Sequence, residues 1–190
     1  MKAKALALST LVTLGAVSTN ANAEEALNAE EALSVTPHQV WNLVQTQPEQ
    51  VLFVDVRDPI EIMFIGGTNA VDINIPFKVV DRHDYRQQQG VFAMKDNPKF
   101  SNQIEKALQD KGLTKDALVI TMCRSGSARG KPSADYLLSN GFSNVKYVDH
   151  GFQGSAIKEG ERKGFRIING WQNSGLPWSP KLDADKIYQP

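Results

Sequence analysis

A chain of 190 residues with 21 basic and 21 acidic side chains carries no net charge. That balance argues against a nucleic acid or an acidic membrane as partner and leaves positive charge to be concentrated locally. The length suits one domain with a respectable core, and a single cysteine excludes any disulfide within the chain.

The chain opens with a leader. Met1-Lys2-Ala3-Lys4 is basic, residues 5–17 are apolar and small, and Ala21-Asn22-Ala23 is an A-x-A cleavage site. Residues 1–23 read as a secretory signal peptide, so the mature protein is expected in the periplasm, with export elsewhere as the alternative. An uncleaved anchor is the alternative, but the apolar run is too short and too interrupted by Ser and Thr to span a bilayer. The mature chain, with no membrane span, keeps two more acids than bases because the leader takes Lys2 and Lys4 with it.

Residues 24–35 are Ala- and Glu-rich and are expected to form a flexible N-terminal extension. Thr36-Pro37 predicts a capped helix whose apolar face is Val40, Leu43 and Val44. Residues 51–56 predict a buried strand of a parallel sheet. Asp58-Pro59 then turns the chain into a short helix that Gly66-Gly67 stops. Residues 70–75 predict a second strand, ended by Pro76. The stretch 78–97 shows no periodicity; it reads equally as a lid over a site and as a solvated insertion. Residues 100–111 predict a helix with Ile104 and Leu108 inward, 117–122 the central strand, 132–140 a helix and 144–148 a further strand. Residues 155–166 read as a solvated connection. Trp171, Leu176 and Trp178 are expected to pack on the core ahead of a loose tail, 181–190.

The chemistry concentrates where the central strand breaks into Cys123-Arg124-Ser125-Gly126-Ser127-Ala128-Arg129. A strand, a small basic loop and a helix N-terminus together make an anion cradle, because loop N–H groups converge there with the positive end of the helix dipole. A lone cysteine is most often a buried structural residue. The basic, glycine-containing loop reverses that reading, and Cys123 is expected to be a nucleophile acting on an anionic substrate. Asp55 is expected to accept from loop N–H groups, and Arg57 and Glu61 to form a scaffold ion pair. His150 follows a strand on the same sheet edge and reads more readily as a turn residue than as a catalyst. His38, His83 and His150 lack ligand spacing, so no metal is expected.

Several ordered segments resemble the rhodanese-like sulfurtransferase family. Cys-Arg-Ser-Gly with a following arginine resembles its active-site loop, and Asp55-Val56-Arg57 with Glu61 its early D-V-R-x-x-x-E segment. Residues 66–76 resemble its G-H-I-x-G-A-x-N-I-P segment, 141–148 the strand after the active-site helix, and 170–177 its closing G-W-x-x-x-G-L-P. The resemblance covers 36–178 and implies an α/β, three-layer fold with a central, mainly parallel sheet flanked by helices, over a domain at 36–180. It further implies a persulfide on Cys123, loop residues 124–129 around the sulfur, and Asp55, Arg57 and Glu61 as supports. The donor would be a small sulfur-containing anion such as thiosulfate, the acceptor cyanide, a thiol or a protein, and no cofactor is implied.

Two departures separate the chain from the family pattern. The histidine of the second segment is absent, and Gly67-Thr68-Asn69 stands there instead. The loop is also one residue longer than usual, so Cys123 and Arg129 have the C-x5-R spacing of phosphatases and arsenate reductases. A phosphate- or arsenate-directed enzyme is therefore the second reading, with Asp58 or Asp149 as candidate acids. A non-catalytic anion- or partner-binding module is the third.

Overall fold

In the computed structural model, which describes residues 33–181 and 183–189, the leader 1–23 and residues 24–32 lie outside the described residues. The elements run β1 (Ser34–Val35), α1 (Pro37–Thr46), β2 (Val51–Asp55), α2 (Pro59–Ile65), β3 (Ile73–Asn74), β4 (Lys78–Arg86) and β5 (Val91–Asp96). They continue with α3 (Phe100–Asp110), β6 (Leu118–Met122), α4 (Gly130–Ser139) and β7 (Val145–Val148). Single 3-10 turns occupy Pro48–Gln50 and Trp171–Asn173.

Five strands form one parallel sheet in the order β1-β7-β6-β2-β3, which puts β6 at its centre. Successive side chains of a strand point to opposite faces, and β2 shows the result. Leu52 and Val54 face a core with Phe100, Ile104 and Leu108 of α3 and Ala134 and Leu137 of α4. Val51 and Phe53 face the other way, into a core with Val40 of α1 and Trp171. Helices on both faces of a parallel sheet give the three-layer α/β architecture expected from the sequence.

The helix caps follow sequence chemistry. Thr36 and Gln39 make a reciprocal capping box at α1, and Asp58 and Glu61 make another at α2. Asp58 also accepts from Val80 N of β4 at 2.7 Å, so one buried carboxylate caps a helix and anchors a strand.

Four expectations need correction. Stretch 78–97 is a solvated insertion but not a structureless one: β4 and β5 form an antiparallel hairpin. Most of its side chains are exposed, so no apolar alternation marked it. Cross-strand pairs hold it instead: Lys78 with Asp96 at 2.7 Å, Lys95 with Asp81 at 2.8 Å, and the Tyr85–Phe92 ring contact. The strand expected over 70–75 pairs only at Ile73–Asn74. Asp72 extends the contact with β2, its N–H donating to Phe53 O and its Oδ2 accepting from Phe53 N, each at 2.8 Å, and Ile75 N donates to Asp55 O at 3.0 Å.

The extension does not run loose to residue 35, because Ser34–Val35 pairs with β7 as the sheet's edge strand. Nor is the tail loose. Lys186 O accepts from Asn74 N at 2.7 Å, and Lys186 Nζ donates to the carbonyls of Asn69 and Val71. Tyr188 N donates to Asn74 Oδ1 at 3.2 Å, so the tail covers the β3 edge.

Asp58→Ala removes the α2 cap and the β4 anchor together. An expected loss of about 2 kcal/mol in urea unfolding follows from one cap and one buried hydrogen bond. A midpoint unchanged from the wild type would contradict the double role.

Candidate active site

The loop 123–129 leaves the carboxyl end of β6 and feeds directly into α4, which begins at Gly130, two residues earlier than the sequence suggested. Thr121 and Ser133 pin that junction. Ser133 Oγ donates to Gly130 O at 2.8 Å and shares a 3.0 Å hydroxyl contact with Thr121 Oγ1, and Gly126 O accepts from Lys131 N at 3.1 Å. Cys123 is 1% exposed, and a Cβ on Gly130 would lie 3.5 Å from its Sγ. The thiol therefore sits at the base of the loop against the start of α4.

The backbone N–H groups of residues 124–129 donate to no acceptor among the described residues. Their carbonyls are better served. Cys123 O accepts from Phe152 N at 2.8 Å, and Arg124 O accepts from Gln153 N at 2.9 Å and Gly154 N at 3.2 Å. The segment after β7 thus forms the second wall of the loop. Contact is close enough to exclude a side chain: a Cβ at Gly151 would run into the Cys123 carbonyl and lie 2.7 Å from Gly126 N. Gly126 itself has φ +80°, a conformation that favours glycine.

The charged residues pair differently from the expectation. Arg57 is fully buried and bonds Asp55, its Nε donating at 2.9 and 3.1 Å and its backbone N at 3.0 Å. Its guanidinium also lies 4.2 Å from the Phe152 ring centroid. Glu61 instead pairs with Arg129: Nη2 donates to Oε1 at 2.8 Å and Nη1 to Oε2. The Arg57–Glu61 pair read from the sequence is therefore replaced by two pairs, Arg57–Asp55 and Arg129–Glu61. Asp55 accepts from the Arg57 N–H in the loop after β2, as expected, and holds the Arg57 guanidinium as well. Burial pushes the Glu61 carboxyl up, but the Arg129 hydrogen bonds and charge, with Arg57 behind them, outweigh it and hold the pKa below the usual value. Burial likewise opposes charge on Arg129, and Glu61 more than offsets it, raising that guanidinium.

Arg129, expected to bind substrate, thus spends two of its donors bracing the loop on α2. Arg124 points the other way. Its Nε donates to Gln153 Oε1 at 2.9 Å on the exposed side. Ser125 and Ser127 hydroxyls lie 3.3 Å apart, Gly126 is buried, and Ser127 and Ala128 are exposed at the loop's outer turn. His150 has its ring 3.3 Å from Asp149 and passes the loop with its backbone, next to Gly126. Sequence reasoning missed Gly151, Gln153, Arg166 and Asn173. The first two follow a strand at the carboxyl edge of the sheet, a position that could have nominated them.

The sequence model of the rhodanese-like domain matches residues 36–157. The chain belongs to the rhodanese-like domain family. Rv0390 from M. tuberculosis is similar in structure, with 25% identity and a TM-score of 0.56 over 78% of this chain and 97% of that one. A polysulfide-sulfur transferase homodimer from Wolinella succinogenes is 21% identical, with a TM-score of 0.40 over 70% of this chain and 80% of that one. A possible tyrosine phosphatase from Rhodopseudomonas palustris is 19% identical, with a TM-score of 0.40 over 76% and 91%. At those two similarities, neither bears on what this rhodanese-like chain acts upon. No curated protein matches it. Among its described residues, no helix is long and apolar enough to cross a membrane.

Glu61→Gln leaves the Arg129 charge buried without its carboxylate, with an expected cost of about 2 kcal/mol at neutral pH. Because folding lowers the Glu61 pKa, the pair's contribution is whole above the ordinary glutamate value and is lost as pH falls through the lowered one. The variant should therefore lose stability less steeply in acid than the wild type. Chemical unfolding from neutral pH into the acid range checks both signs.

Proposed function

We propose that the protein is a sulfurtransferase working through a persulfide on Cys123. The observation that carries this reading is the row of loop N–H groups, 124–129, which have no acceptor among the described residues and follow directly on the chain's only thiol. The Cys123 thiolate attacks the outer sulfur of thiosulfate or a related sulfane donor. A bond forms between Sγ and that sulfur, the donor's sulfur–sulfur bond breaks, and sulfite leaves with the electron pair. Loop N–H groups and the N-terminus of α4 hold the donor anion and then the terminal sulfur of the persulfide. Cyanide, a thiol or a protein thiol takes that sulfur and returns Sγ to the thiolate, with no cofactor in the cycle.

The supports act by position. Glu61 through Arg129, and Asp55 through Arg57 and Phe152, hold the loop and its second wall in place. With residues 1–23 read as an export leader, the cycle runs in the periplasm. A lone thiol there depends on an external reductant or acceptor for its return.

The C-x5-R phosphatase reading is less well supported, because it needs a free acid. Asp58 is committed to Ile60 N and Val80 N, and Asp149 is paired with His150. A pure binding module would have no use for a thiol seated at the base of the cradle.

Treatment with thiosulfate should add one reductant-labile sulfur atom to the protein, read by intact mass. Cys123→Ser should gain none. A wild-type protein that stays unmodified while hydrolysing an aryl phosphate would overturn the proposal in favour of phosphoryl chemistry.

A further inference from the structure

The segment that follows the second wall is fastened beside the mouth of the site, outside the stretch matched as the family domain. Asn173 Nδ2 donates to Asn169 O at 2.8 Å, Gln153 O at 3.2 Å and Arg166 O at 3.3 Å, drawing those three positions together. Asn169 Oδ1 accepts from Ser155 N at 2.7 Å, and the Arg166 guanidinium donates to Gly154 O. Residues 153 and 154 are those whose N–H groups hold Arg124 O, and the Gln153 side chain holds Arg124 Nε. Arg124 and Arg166 are therefore seated on adjacent residues next to the Cys123 loop. Burial, and after it the positive charge of Arg166, lowers the Arg124 pKa, as expected of two neighbouring cations.

Around Arg166 the chain exposes large apolar side chains. Phe165 and Ile168 are each 60% exposed and Ile167 is 43% exposed. Three such residues beside a functional mouth exceed the scattered apolar exposure of an ordinary surface. Charge on this segment is one-sided: Lys158, Arg162, Lys163 and Arg166 stand against Glu159 and Glu161. A small anion needs the cations but not the apolar residues. A protein segment uses both.

We propose that Arg124, Arg166, Phe165, Ile167 and Ile168 form the docking surface for a protein acceptor whose cysteine lies in an extended segment with acidic and apolar neighbours. The occupant is argued from charge complementarity to the two arginines and from the apolar patch around them. An extended segment is required because Cys123 is buried at the base of its loop. The proposal rests on sulfur transfer through Cys123 and names its acceptor. The acceptor thiolate attacks the outer persulfide sulfur, the bond to Sγ breaks with its electrons returning to Sγ, and the partner leaves as a persulfide. No oxidant or reductant enters.

The test uses the full mature chain loaded from thiosulfate. Two short single-cysteine peptides are compared, one carrying Asp and Leu beside the cysteine and the other Lys in place of Asp. Persulfide transfer is read by peptide mass and set against discharge to cyanide. Wild type should favour the acidic peptide by about tenfold, the size expected of two steering charges, and Arg166→Glu should abolish or invert that preference. Because Arg166 also fastens Gly154, a Phe165→Ser/Ile168→Ser double variant at exposed positions provides the second arm. Its peptide-to-cyanide ratio should fall about tenfold with the loss of two apolar contacts.

Loading without any order between the peptides, or ratios unchanged in the variants, overturns the docking surface and leaves sulfur transfer intact. A wild type that takes up no sulfur overturns sulfur transfer and the docking proposal with it. Self-association of the protein that the Phe165→Ser/Ile168→Ser pair abolishes would assign the surface to a second copy and also overturn the proposal.

Discussion

The bidentate pair between Glu61 and Arg129 is the constraint on which the active loop depends. It joins positions far apart in sequence, one on the short helix after β2 and the other at the end of the loop after β6. Both groups are largely buried, and a buried charge is tolerable only when paired, so either residue alone would be a liability. Glu61 has a further duty in the capping box of α2, where its Oε2 accepts from Asp58 N at 3.2 Å. The helix start, the loop end and, through Asp58, the base of the β4–β5 hairpin are consequently one hydrogen-bonded unit. A change in any part alters the position of the cradle.

The second pair works on the opposite wall. Arg57 is held by Asp55 at the end of β2 and presents its guanidinium face to Phe152, whose N–H supports the Cys123 carbonyl. Two arginines buried beneath one loop, each with its own carboxylate, supply positive charge without mobility. Their pairing also divides the labour among the guanidiniums. Arg57 and Arg129 are fixed as braces, whereas Arg124 reaches outward to Gln153 and the solvent. The loop N–H groups are left to meet an anion at the thiol, and the exposed Arg124 charge, held by Gln153, is left to the approach.

Much of this was legible in the chain because it is local. Capping chemistry at Thr36 and Asp58, the apolar runs of β2 and β6, and the break at Cys123 each express the preferences of neighbouring residues. So does the cradle, since a small basic loop between a strand and a helix is a contiguous motif. Hairpin β4–β5 was not legible. With both faces largely in water it has no burial pattern, and its pairing comes from cross-strand ion pairs and rings. The tail escaped notice for a related reason: Lys186 and Tyr188 are held by carbonyl and amide groups of residues 69–74, which no spacing announces.

The sequence by itself determined the parallel α/β sheet, the seat of Cys123 and the basic character of its loop. These follow from periodicity, from the junction of a strand with a helix, and from composition within a few residues. Which carboxylate meets which arginine was decided only by the tertiary structure. A D-V-R-x-x-x-E segment allows Arg57 to pair with Asp55 or Glu61, and only the return of the chain through β6 brings Arg129 to Glu61 and leaves Asp55 to Arg57. The placement of Arg166 beside Arg124 is of the same kind. It depends on Asn173 gathering carbonyls from separate turns, and contacts between distant segments are set by packing and hydrogen-bond satisfaction rather than by any local preference.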